Sequence, residues 1–204
     1  MKISFSKGKA DKIHISIDGE YSFTVDADFW FSCGYAGRSE IDEDELEELR
    51  LTVENRRAFN KALSLLSVRD HSRKELELKL RRSANDEAIE NALDRIEEMG
   101  YINDELYARR LADELLHRKA LTPSAVKLEL TKRGISREIA DSVCENLEVD
   151  TEQALKDLLE TKFASKMSDE KSRKRTFNAL LRMGYSYSDI RSAMKIHDEY
   201  ESDC

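Results

Sequence analysis

Leu80, Leu130 and Leu180 stand 50 residues apart, and this internal period constrains the chain more than anything else in it. Ile89, Ile139 and Ile190 follow them by 9, 9 and 10 residues. Leu76 and Val126 precede the first two leucines by one helical turn, on the same face. The third copy has Thr176 at that place, so its neighbour Phe177 is expected to take the core role. Arg133-Gly134-Ile135-Ser136 corresponds to Met183-Gly184-Tyr185-Ser186: the glycine ends one helix, an apolar side chain packs on it, and Ser caps the next. Ser83-Ala84-Asn85-Asp86 is expected to keep that geometry without glycine, with Asp86 as the cap. The first helices are legible as apolar stripes: Ala58, Phe59, Ala62, Leu63 and Leu66; Leu106, Tyr107, Leu111 and Leu115; Ala154, Leu155, Leu158, Leu159 and Phe163. Asn103 caps the second stripe, and Thr122 caps the helix that begins at Pro123, where a missing N–H costs nothing.

These marks predict a mainly α chain of three tandem three-helix repeats, helix-turn-helix-like, in an elongated curved array. The copies are placed at 58–102, 103–147 and 148–204. Residues 1–57 read differently. Ile13, Ile15 and Ile17 alternate with polar residues, as do Tyr21, Phe23 and Val25, and Asp18-Gly19 between them supplies hairpin-turn chemistry. Ile3 and Phe5 suggest a third strand, Phe29-Trp30-Phe31 a short helix or loop plugging the hairpin, and the acidic run Ile41 to Glu48 the start of a helix.

Catalytic chemistry finds little footing. His14, His71, His117 and His197 are scattered, with no HExxH, and no phosphate-binding glycine loop occurs. Cys33, Cys144 and Cys204 have no CxxC spacing and read as idle or buried thiols rather than a zinc site or disulfide. No cofactor, metal or catalytic residue is expected. The lack of a long apolar run or signal-like start argues for a cytoplasmic protein.

Charge is more informative. The formal net charge is −8, yet residues 162–182 hold seven basic side chains against two acidic ones. The candidate partner-binding residues are Arg69, Arg73, Lys74, Arg81 and Arg82 in the first copy; Arg109, Arg110, Arg118, Lys119, Lys127, Lys132 and Arg133 in the second; Lys171, Arg173, Lys174, Arg175 and Arg182 in the third. For Arg81, Arg82, Lys132 and Arg133 the helix dipole supplies a competing structural reason. Adjacent cations such as Arg173, Lys174 and Arg175 repel one another, so an anionic partner accounts for them better. The third helices are mostly acidic or apolar, which disfavours sequence-specific reading of duplex DNA.

The run from Ala62 to Leu80, through Asp70-His71-Ser72-Arg73-Lys74-Glu75-Leu76, resembles the signature of the RecX family of RecA regulators. It is followed by Met99-Gly100-Tyr101-Ile102-Asn103-Asp104, by Leu128 to Ser136, and by Leu181-Arg182-Met183-Gly184-Tyr185. The resemblance covers about 58–194, and residues before it resemble an amino-terminal extension of some members. It implies a non-enzymatic, monomeric protein that binds the RecA filament on single-stranded DNA and reduces strand exchange, ATP hydrolysis and repressor co-cleavage, touching DNA through the filament. A duplex-binding tri-helical regulator and a helical adaptor for another protein are the alternatives.

Overall fold

The computed structural model describes residues 1–167 and 169–202, with side chains to residue 195; Cys204 and the His197 side chain lie outside. The described residues form two compact units, one of Met1–Ser64 with Lys79–Ile96, the other of Leu65–Leu78 with the chain from Glu97.

The first unit is built on an antiparallel sheet ordered β1 (Ile3–Lys7), β2 (Lys12–Ile17), β3 (Glu20–Asp26). The two-residue turn at Asp18 and Gly19 has positive φ at both (50° and 87°), the pairing that suits the right-handed twist of its strands. Ile3, Ile13, Ile15, Phe23 and Val25 point to one side and form a core with Phe29 and Trp30 of α1 (Ala27–Ser32) and with Leu46, Leu49 and Val53 of α2 (Glu43–Leu66). The expected plug is thus helix α1, with Trp30 buried and Phe31 left 61% exposed.

α2 opens on a capping box, Glu45 N–H donating to Asp42 Oδ1 at 2.8 Å and Asp42 N–H to Glu45 Oε2 at 3.2 Å. It then runs 24 residues without a break. Residues 57 and 58, the expected divide between the amino-terminal segment and the first copy, both lie inside it. α3 (Arg73–Leu80) and α4 (Asp86–Glu98) follow. Two expectations are corrected here. Asn85, not Asp86, caps α4, its Oδ1 accepting from Ala88 N–H at 2.8 Å. The turn at 81–84 has no positive-φ residue, because α3 stops at Leu80 instead of running on.

The second and third copies lie wholly in the second unit. α5 (Asp104–Asp113) ends in a π-helical turn, Glu114–Arg118, with no warning in the sequence. α6 (Pro123–Lys132) and α7 (Arg137–Glu145) complete a core of Tyr107, Ala108, Leu111, Leu115, Val126, Leu130, Ile135 and Val143. Leu106, placed in that stripe by sequence, is 45% exposed. The third copy has α8 (Thr151–Glu160), α9 (Glu170–Arg182) and α10 (Tyr187–Ser202) around Leu155, Leu159, Phe163, Leu180, Tyr185 and Ile190. Phe163 joins that core from beyond the end of α8. Thr176 keeps its place in the core at 2% exposure, whereas Phe177 packs at the margin, edge-on to Tyr187 with ring centroids 5.0 Å apart. The caps at Asn103, Thr122, Ser136 and Ser186 are all made.

Candidate functional site

Gly134 and Gly184 end α6 and α9 with φ of 79° and 97°. Ile135 N–H then reaches back to Leu130 O (3.1 Å) and Tyr185 N–H to Leu180 O (3.2 Å), the six-to-one bond of a Schellman ending. Each glycine also seats against the preceding copy. A Cβ on Gly134 would lie 2.5 Å from Lys74 Cβ; one on Gly184 would run into the Thr122 hydroxyl and lie 2.7 Å from Ala125 Cβ. Beside them Ser72 Oγ donates to Arg133 O at 2.5 Å, and Thr122 N–H to Met183 O at 2.9 Å. Ser72 and Thr122, like Arg133 and Met183, are 50 residues apart, so one joint is made twice.

Chemistry differs between the two. The joint of copies one and two centres on Glu75, whose side chain is 15% exposed. Arg69 grips it with both terminal nitrogens (3.0 and 3.1 Å), Tyr107 Oη donates to it at 3.4 Å, His71 Nδ1 lies 3.3 Å away and Arg133 Nη1 3.6 Å away. Burial pushes the Glu75 carboxyl up, but the Arg69 hydrogen bond and the charges of Arg69, His71 and Arg133 outweigh it and hold it below the ordinary value. The equivalent residues of the next joint, Ala125 and Met183, are uncharged, and there Tyr185 Oη donates to Ala120 O at 3.2 Å.

The candidate cations divide accordingly. Arg69 and Arg133 hold Glu75, and Arg73 caps a joint of its own, its N–H bonding Asp104 Oδ1 (2.9 Å) and its guanidinium Glu97 (2.6 Å). Lys74, Arg81, Arg109, Arg110, Lys119, Lys127, Lys132 and Lys174 each lie beside a surface carboxylate, respectively Glu77, Asp86, Glu105, Asp70, Glu114, Asp141, Glu129 and Glu170. Exposed pairs of that kind contribute little and exchange readily. Arg173 is half-buried and engaged within the fold. Arg82, Arg118, Lys171, Arg175 and Arg182 are exposed and have no ion pair among the described residues. Three of these fall on one stripe of α9: Lys171, Arg175, Asn178 and Arg182 recur at spacings of four, three and four, opposite the buried Thr176, Leu180 and Met183.

Sequence reasoning missed Glu75 as the hub of a joint, a role hidden in a run of alternating charge. It also missed Arg56, Arg57 and Arg95 in the first unit, although Arg56 and Asn60 are spaced i, i+4 on α2. Among the described residues the two thiols are unactivated: Cys33 donates to Trp30 O at 3.2 Å, and burial pushes Cys144 up.

Models of the RecX first and third three-helix domains match residues 58–95 and 150–194. A regulatory protein RecX of Caldanaerobacter subterraneus is 34% identical over 140 residues, 68% of this chain and 71% of that relative. The chain belongs to the RecX family of regulatory proteins. A RecX of Bacillus velezensis is 29% identical over 209 residues, covering 99% of this chain and 78% of its own. A crystal structure of a regulatory protein RecX shares the fold, with a TM-score of 0.62 at 19% identity over 94% of this chain and 98% of that one. The matched RecX domains bracket α5 to α7, so the twice-made joint links the two RecX domains through the copy between them. Among the described residues no helix is long and apolar enough to cross a membrane.

Proposed function

We propose that this RecX-family chain binds RecA and its filament on single-stranded DNA and negatively modulates the recombinase, ATPase and co-protease activities, acting in the cytoplasm as a monomer. The observation that carries the reading is the outward stripe of α9. Three exposed cations with no ion pair among the described residues, aligned on the face opposite the core, are better accommodated when something negative lies along them. A filament carrying nucleic acid offers such a partner over a length that a pocket ligand does not. The paired cations of α5 and α6 are available to join by exchanging partners, since exposed ion pairs resist this by about 1 kcal/mol or less.

Titration into a RecA ATPase assay on single-stranded DNA tests the reading, and suppression of hydrolysis is the expected result. No suppression in molar excess over RecA overturns it. Arg175→Glu with Arg182→Glu should raise the concentration needed by about tenfold and steepen the loss at higher salt. If inhibition is unchanged in the double variant, the stripe is not part of the contact.

A further inference from the structure

The first unit holds a second cationic surface, remote in sequence from α9. Two adjoining hollows of about 230 and 380 Å³ share Phe29, Arg56 and Asn60 in their walls. Arg57 lines the first and Arg95 the second. Arg56 lies over the Phe29 ring, 5.3 Å from its centroid, and Arg95 over the Phe59 ring at 4.8 Å. Arg57 donates to the neutral Thr24 carbonyl at 2.5 Å. None of the three has a carboxylate partner among the described residues, and neither does the exposed amide of Asn60 have any partner. The one carboxylate in the lining, Asp26, is held by Lys12.

Such a surface is out of character with its surroundings, because residues 1–60 carry 13 acidic side chains against 8 basic ones. The helix dipole accounts for Arg95, which lies in the last turn of α4, but not for the pair on α2. Arg56 and Arg57 sit in the middle of α2, whereas dipole effects fade beyond the last turn. Cation–π attraction to the phenyl rings holds the guanidinium groups of Arg56 and Arg95 in place, and neither has a carboxylate partner among the described residues to occupy its N–H groups. A flat cation of that kind takes a base on its face and a phosphate on its edge, and a free amide pairs with a base edge. The hollows are too small for a duplex, whose base faces are in any case hidden in the stack.

We propose that the cleft of Arg56, Arg57, Arg95, Phe29, Phe59 and Asn60 is a binding site for a short stretch of single-stranded nucleic acid, held directly by this chain. Fluorescence anisotropy of a labelled thymidine 12-mer with the full-length chain tests it, without any recombinase, and the Arg175→Glu, Arg182→Glu variant, which should bind as wild type does, separates the outcome from the α9 reading. Binding is expected. Arg56→Glu with Arg95→Glu should weaken it at least about tenfold and lower the slope of log affinity against log salt by about 1.4, the share of two phosphate contacts. Circular dichroism reports whether the double variant keeps its helices. Should it unfold, photo-crosslinking of the wild-type chain to an oligonucleotide bearing 5-iododeoxyuridine decides, with crosslinks expected within residues 53–60 or 91–95. No binding, binding unchanged in a folded double variant, equal affinity for the duplex, preferential binding of poly-glutamate, or crosslinks only elsewhere would each overturn the assignment.

Discussion

At Gly134 and Gly184 a single methyl group meets two obstacles, a left-handed backbone and a neighbour already in contact. Alanine at either is expected to cost about 2–4 kcal/mol, combining about 1–2 for the conformation with the strain of displacing Lys74 or Thr122. Gly100 has the same kind of φ, 77°, with nothing near its missing side chain, so Gly100→Ala should cost only about 1 kcal/mol. Urea unfolding of the three variants separates the two causes; equal losses would show that seating against the previous copy is irrelevant. Thr176 buries a hydroxyl with no partner among the described residues, and Thr176→Val should therefore raise stability by about 1 kcal/mol in the same measurement. Glu75 makes a prediction in pH. Its folded carboxyl titrates below the unfolded value of about 4.5, so its contribution is complete above that pH and disappears as pH falls through the folded value. Stability of Glu75→Gln should accordingly lie about 1–2 kcal/mol below wild type at pH 7 and converge with it in acid. Parallel curves would remove Glu75 from the account.

Among the elements, those governed by local chemistry were legible and those governed by neighbours were not. Asn103, Thr122 and Ser136 announce their helices because a cap needs only its own side chain and the next turn. The reach of α2 across residues 57 and 58 was hidden, because one stripe of α2 faces the sheet through Leu46, Leu49 and Val53 before another takes over at Ala58. The missing glycine of the first copy has a similar origin. In the other copies that glycine serves the preceding copy as much as its own helix end, and before the first copy there is none. The cap of α4 is a check at this scale: Asn85→Ala should lose about 1 kcal/mol, and Asp86→Ala much less, in thermal or urea unfolding. The reverse order would restore Asp86 as the cap.

For the molecule as a whole, a period of 50 residues read from three leucines was enough to reach the repeat architecture, and the run from Ala62 to Leu80 the family. The candidate surface was only half visible. Counting cations put Arg173, Lys174 and Arg175 foremost, but could not tell that Arg173 is engaged within the fold and Lys174 lies beside Glu170, that Arg69 and Arg133 are held by Glu75, or that Arg56 and Arg95 lie over phenyl rings. The contrast between the two joints reaches into behaviour. One is held largely by ions, which salt shields and acid neutralises; the other by neutral hydrogen bonds and apolar contact, and the apolar share weakens on cooling. Solvent and temperature should therefore loosen different ends of the middle copy, which can be followed by amide exchange at Tyr107 and at Leu121. A protein assembled from diverged copies of one part thus acquires two separate controls without any change of architecture.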